Sequence, residues 1–375
     1  MNDEISDVSD RRLLVICDFH PALMDSLAQT LEYSGLKECV FLRKRYNSEW
    51  RHASFEIINL PLHVISEDDP PRLSSIVSLM AHVAIGTVIG IVTVLRRKLD
   101  TILGVFAFPQ GLIALLVGKL THRRIVMMTD GGDIDVLLGR MAVLAIVRSC
   151  LRRADLVTAL NRTKRKRLRS LNIHAEVCST FGVDTSRFRY IPLDQKEQCS
   201  VLYVGRLSKE KRPDLLLRAC SRLRNDGFRF KLTIIGDGPL MSEVLDHAIN
   251  EDMTDVTAIK GYVSHSDIHG YFQRNLVFVL PSIREGVSVS LLEAMSCGCL
   301  CVVSDIPDNR DVVEHMQNGI MFRVNDENDL AGRLRLAITE SSRLASLGRN
   351  ATFSVSTQYS VEAVANRLRS LLSRV

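Results

Sequence analysis

Two kinds of apolar run alternate along the chain: short unbroken ones and longer ones with helical spacing. LLVICD at 13–18 predicts a strand, and the spacing over 21–35 predicts a helix ending at Gly35, a residue suited to a left-handed cap. Further strand-like runs lie at 39–42, 55–60, 101–108, 124–130, 155–160 and 177–184. Helical stretches follow Gln110, begin near Ile134 and cover the basic run 162–169. Residues 192–200, opening at Pro192, are polar and read as a linker. Strand-like runs resume at 201–205, 231–236, 256–262, 276–282, 300–305 and 320–324, each separated from the next by helical patterning. Strands apolar on both faces that alternate with helices predict parallel, doubly wound sheets. The fold class expected is α/β, with two Rossmann-like domains facing across a cleft and ligands at the carboxyl ends of the strands. The expected division is a first domain over 1–191, the linker 192–200 and a second domain over 201–355. A C-terminal helix within 356–375 is expected to pack back on the first domain.

One helical stretch carries a second meaning. Residues 76–95 are almost wholly apolar and run into Arg96-Arg97-Lys98, which fits the length and flank of a membrane span. His82, Ser78, Thr87 and Thr93 interrupt it, and a strand follows within a few residues. A helix buried in the first domain or touching a membrane is therefore preferred to a span.

Composition narrows the picture little further. With 46% hydrophobic and 24% charged residues, the 375-residue chain is globular, and its length suits two α/β domains. The net charge of +5 is concentrated early: residues 1–190 hold 26 Lys/Arg against 20 Asp/Glu. That excess fits an anionic lipid surface or a phosphorylated ligand. A nucleic-acid partner is not expected, because no stacking motif, zinc signature or helix-turn-helix pattern accompanies it. The acidic start MNDEISDVSD does not read as a signal peptide. Most of the nine cysteines sit in apolar runs, and Cys17, Cys178, Cys220 and Cys301 read as core residues of a cytoplasmic protein. Cys297, Cys299 and Cys301 alternate like a strand entering a core rather than like metal ligands.

Candidate chemistry is densest at 281–305, PSIREGVSVSLLEAMSCGCLCVVSD. Glu285 lies in the loop after a strand, and Gly286 lets a ligand approach the backbone. A helix beginning near Ser288 carries Glu293 about a turn and a half along. Its free amide groups suit a phosphate or a sugar oxygen, and the two carboxylates suit hydroxyl groups. In VLYVGRLSKEKRPDLLL (201–217) a strand ends at Gly205, and Arg206 and Lys211 follow in the loop, where two cations fit a diphosphate. IIGDGP (234–239) adds a strand followed by a glycine turn at Gly236. A solvated basic loop and an exposed glutamate pair are the bland alternatives.

Taken in order, these segments, with GYVSHSDIHGYF and NGIMF (318–322), resemble the retaining glycosyltransferases of family 4, the group 1 glycosyl transferases of GT-B fold. Glu285 and Glu293 match that family's E-x7-E motif. The resemblance implies a catalytic set in which Arg206 and Lys211 bind the donor diphosphate and Glu285 holds the transferred sugar. It implies that Glu293 holds the ribose and that Gly286, Val287 and Ser288 offer amides. Gly205 and Gly236 line the donor site, and Gly261, Tyr262 and Val263 border the base. No metal and no cofactor are implied beyond the nucleotide-diphosphate sugar itself. The first half departs from the family pattern. FGVDTSRF (181–188) has Phe181 where asparagine is usual. TDGGDID (129–135) has Asp130 where histidine or arginine is common, and CDFHPALMD (17–25) replaces a Gly-Gly loop. His20, Asp130, Gly131, Gly132 and Asp133 are the acceptor-side candidates.

The function expected is retaining, metal-independent transfer of a sugar to an acceptor hydroxyl in glycan or glycolipid biosynthesis. The acceptor would be a glycan or a lipid-linked species, and the protein cytoplasmic, peripheral on the inner face of a membrane. The alternatives are a nucleotide-sugar epimerase on the same fold and a non-catalytic sugar-nucleotide binder.

Overall fold

A computed structural model of the chain describes residues 8–17, 21–44, 54–60, 73–129 and 141–375. Two compact units result: residues 1–182 with 361–375, and residues 183–360. The first unit carries a seven-stranded sheet. Its strands are β1 (Arg12–Cys17), β2 (Glu38–Lys44), β3 (Glu56–Leu60), β4 (Thr101–Val105), β5 (Arg124–Thr129), β6 (Leu156–Ala159) and β7 (Glu176–Val177). Their order is β3-β2-β1-β4-β5-β6-β7, with every pairing parallel. The last strand is only two residues long, much shorter than the run 177–184 predicts, because Phe181 is buried in loop backbone and Val183 makes only an isolated bridge to Ser360.

The apolar stretch forms the helix Leu73–Arg97. Gly86 and Gly90 make close packing possible there. A Cβ on Gly86 would lie 2.9 Å from Ile113 Cδ1, and one on Gly90 2.7 Å from Val117 Cγ2, both in the helix Gln110–Thr121. His82, Thr87 and Thr93 are buried. The two threonine hydroxyls donate to carbonyls one turn back, on Val83 (2.7 Å) and Ile89 (2.8 Å), so the polar interruptions sit on the inward face with partners.

In the second unit the strands are β8 (Glu197–Val204), β9 (Lys231–Ile235), β10 (Thr257–Ile259), β11 (Asn275–Leu280), β12 (Leu300–Ser304) and β13 (Ile320–Phe322). The sheet runs β10-β9-β8-β11-β12-β13, all parallel. Alternation along each strand feeds two cores. Val201, Tyr203, Val277, Val279, Leu300 and Val302 join one layer, and Leu202, Val204, Phe278, Leu280, Cys301 and Val303 the other. Cys297 and Cys299 belong to that second layer too, which is why the C-x-C-x-C spacing reads as core. Among the described residues no group of three or more His, Cys, Asp or Glu is placed to hold a metal.

Two boundaries differ from the sequence reading. The first unit closes at Gly182, not 191, and residues 183–191 belong to the second unit. Nor is 192–200 a linker: β8 begins at Glu197, its first residues projecting beyond the buried part of the sheet and so keeping polar side chains. At the C-terminus the chain breaks at Tyr359–Ser360 between helices Ala345–Gln358 and Val361–Leu372. The last helix belongs to the first unit, where Arg369 donates to the carbonyls of Tyr33 and Ser34, both at 2.9 Å.

Candidate functional site

Strand order reverses between β8 and β11, and their loops are the natural place for a ligand. Chain geometry builds the β8 loop first. Buried Tyr203 donates its hydroxyl to the Arg206 carbonyl at 3.0 Å, and burial, with Glu285 and Asp214 nearby, holds that hydroxyl in its protonated form. Lys211 and Arg212 both turn back onto the Ser208 carbonyl, and Arg212 takes a left-handed conformation before Pro213 opens the next helix. The β9 turn locks against this loop. Gly236 has φ +139°, and a Cβ there would overlap the Gly205 carbonyl oxygen. Leu207 N–H donates to Asp237 at 2.9 Å, and Gly236 N–H donates to Gly261 at 2.8 Å. Gly205, Gly236 and Gly261 thus bring three loops edge to edge. The Ile283 amide donates to the Glu210 carbonyl at 2.9 Å, tying the β11 loop to the same cluster.

This fixes the predicted residues relative to each other. Lys211 Nζ lies 2.7 Å from both carboxylate oxygens of buried Glu285. Sequence separation gives no hint of that pair, since the two are 74 residues apart. Lys211 neutralises a carboxylate that would otherwise be buried alone. Arg206 is exposed near Glu210, whose carboxyl is held below the usual range by a backbone bond first, then by Ser208, Arg284 and Arg206. Ser288 caps the helix Val289–Ser296, its Oγ accepting from Leu291 N–H at 3.4 Å. Glu293, on the second turn of that helix, is buried. Burial pushes its carboxyl above the ordinary range, opposed by a bond to His265 and by Arg187. His265 Nε2 meets Glu293 Oε1 at 2.8 Å. Gly286 and Val287 are half-buried between the two glutamates, Val263 is half-buried and Tyr262 exposed on the β10 loop. His20, Asp130, Gly131, Gly132 and Asp133 lie outside the described residues.

Two participants were not singled out from the sequence. Tyr203 looked like one more strand residue. His265 sat unremarked inside GYVSHSDIHGYF, although a histidine in a loop at the carboxyl end of a strand is a signal that could have found it.

Comparison with known proteins agrees with this geometry. A family model described as "Glycosyl transferases group 1" matches residues 185–353. The amylovoran biosynthesis glycosyltransferase AmsK of Erwinia amylovora is 25% identical over 230 residues, 59% of this chain. That alignment spans 56% of the relative, so the chain matches little over half of its length. Among solved structures, Anabaena HepE in complex with UDP superposes with a TM-score of 0.78 at 16% identity, over 97% of this chain and all of that one. Sucrose-phosphate synthase from Thermosynechococcus elongatus gives 0.79 at 17% identity, over 97% and 98%. These likenesses establish a GT-B fold.

Proposed function

We propose, from the match of residues 185–353 to the group 1 glycosyl transferase family model, that this chain moves a sugar from a nucleotide-diphosphate donor to an acceptor hydroxyl with retention. The observation that carries the reading is the convergence of Lys211, Glu285 and the capped helix bearing Glu293 at the β8–β11 reversal. A buried carboxylate with a cation beside it is suited to sugar hydroxyls and phosphate together. In this reading the bond from the anomeric carbon to the phosphate oxygen breaks as the bond to the acceptor oxygen forms. The acceptor proton passes to the leaving phosphate. Arg206, Lys211 and the amides of Gly286, Val287 and Ser288 stabilise charge on the leaving group. Glu285 orients the sugar, Glu293 the ribose, and Gly261, Tyr262 and Val263 border the base. No metal or cofactor takes part, so a chelator leaves turnover unchanged.

The test incubates the protein with UDP-, GDP- and ADP-sugars, with and without lipid-linked and glycan acceptors. Sugar transfer that requires an acceptor and keeps the donor's anomeric configuration supports the proposal. Epimerised donor without acceptor would favour the epimerase, and binding without either product a non-catalytic binder.

We also propose that the chain acts at the inner face of an anionic membrane on a lipid-linked or envelope-glycan acceptor. The supporting observation is the outward face of helix Leu73–Arg97. Val77, Met80, Ala84, Val88, Val92 and Leu95 are all exposed on it, at spacings of three and four residues that keep them on one stripe. Over those residues the helix rises about 27 Å. Arg96 and Lys98 stand exposed at its end, while Arg97 pairs with Glu56. Apolar residues ending in cations suit a negatively charged lipid surface. Arg162–Ser170 adds further exposed cations, although its Lys164 is buried.

A further inference from the structure

The contact between His265 and Glu293 has no part in the sugar-transfer step, yet both side chains are unusually well held. Glu293 is buried, and its helix is fixed at the N-terminus by Ser288. His265 stands in a turn closed by Asp267 N–H and Ile268 N–H on the Ser264 carbonyl, at 3.0 and 3.1 Å. The Phe188 ring lies against the imidazole with centroids 5.7 Å apart. Arg187, the next residue back, donates to the His265 carbonyl. Gln273 in turn donates to the Arg187 carbonyl at 3.0 Å. The imidazole is therefore a fixed group, supported by the β10 loop, by 187–188 and by the helix His269–Arg274.

A ring nitrogen 2.8 Å from Oε1 claims one carboxylate oxygen and sets the plane of the carboxyl group. That leaves Oε2 as the oxygen for a ligand in the donor-site reading. A buried glutamate without such a partner can rotate about its last torsion, which is broad, and lose part of its directional preference.

We propose that His265 is the positioning residue through which Glu293 recognises the ribose diol, and so discriminates ribonucleotide donors from those lacking the 2′ and 3′ hydroxyls. This rests on the donor-site reading above and adds a residue and a selectivity to it. His265 touches neither the sugar nor the phosphates. It acts by holding Oε1, and it links the loop bordering the base to the helix that carries the ribose-binding carboxylate.

Calorimetric titration of the full chain tests this with two ligands: whichever of UDP, GDP or ADP binds the wild type, and its 2′,3′-dideoxy counterpart. In the wild type the ribonucleotide binds roughly tenfold or more tightly than the dideoxy form, the loss expected for hydrogen bonds to a charged group. His265→Phe keeps a ring against Phe188 and removes the nitrogen. It brings that ratio to within about threefold of one, chiefly by weakening the ribonucleotide. His265→Gln restores a donor and recovers much of the ratio. A merely structural role would weaken both ligands alike and leave the ratio intact. The proposal is overturned if His265→Phe, folded by circular dichroism, keeps the wild-type ratio, or if the wild type binds both forms equally. Failure of the wild type to bind any of the three diphosphates overturns the donor-site reading instead, and this one with it.

Discussion

Glu293 shows at residue scale how a carboxyl proposed to bind a ligand costs the fold stability. Burial raises its carboxyl pKa. A carboxyl whose folded pKa exceeds its unfolded value binds more protons in the native state, so stability falls as pH rises from the unfolded pKa, about 4.3, through the raised one. The cost grows as pH rises through that interval. Glu293→Gln keeps an acceptor for His265 and removes the charge. It should melt at a higher temperature than the wild type at pH 7, by a margin that narrows toward about pH 4. Equal margins at both pH values would show that burial does not penalise this carboxylate. Lys211→Ala and Arg206→Ala test the opposite sign of charge. Each leaves the departing phosphate less compensated and should lower kcat by roughly 10²-fold. Lys211→Ala also strands Glu285 and should be the less stable of the two by melting temperature. Spacing singled out Glu285, Glu293, Arg206 and Lys211 as candidates and started a helix near Ser288, which caps it in the structure. Their partners were not legible. Lys211 with Glu285, and His265 with Glu293, meet across 74 and 28 residues through loops whose paths the order of the strands decides.

Elements were easier to read than residues, because a parallel strand buried on both faces leaves an unbroken apolar run. β1, β5, β8, β9, β11 and β12 all fall where such runs lie. The misreadings occur where burial and secondary structure part company. β8 begins in polar sequence because its first residues extend past the core. The run 177–184 is buried but mostly unladdered. Turn chemistry is the most exacting requirement at this scale. Gly236→Ala would place a methyl group on the Gly205 carbonyl oxygen in a backbone conformation that L-residues rarely adopt. We expect a loss of about 3 kcal/mol or more in denaturant unfolding, far above the effect of an ordinary surface substitution. A loss within about 0.5 kcal/mol would mean that the β8 and β9 loops are not locked together as described. The exposed stripe of helix Leu73–Arg97 makes a separate prediction. Wild-type protein should co-sediment with phosphatidylglycerol vesicles, less so at high salt and less with phosphatidylcholine. Val88→Glu should reduce that binding severalfold while donor binding is unchanged. Vesicle binding that Val88→Glu leaves intact, or concentration-dependent dimers that it abolishes, would assign the stripe to another partner.

Across the whole molecule, two parallel sheets came from patterning alone, and the resemblance to GT-B glycosyltransferases from an ordered series of motifs in the second half. The match to the family model is confined there as well. The asymmetry has a physical basis. In the proposed reading donor sites share a diphosphate, a ribose and a sugar, whereas an acceptor surface follows an acceptor that differs from one enzyme to another. The most direct measurement is a crystal structure of the full chain with the nucleotide diphosphate that binds it. The account predicts the pyrophosphate within hydrogen-bonding distance of Arg206 and Lys211, and the ribose on Glu293 Oε2 with His265 still on Oε1. A nucleotide lodged away from the β8 and β11 loops, or one whose phosphates meet neither cation, would contradict it.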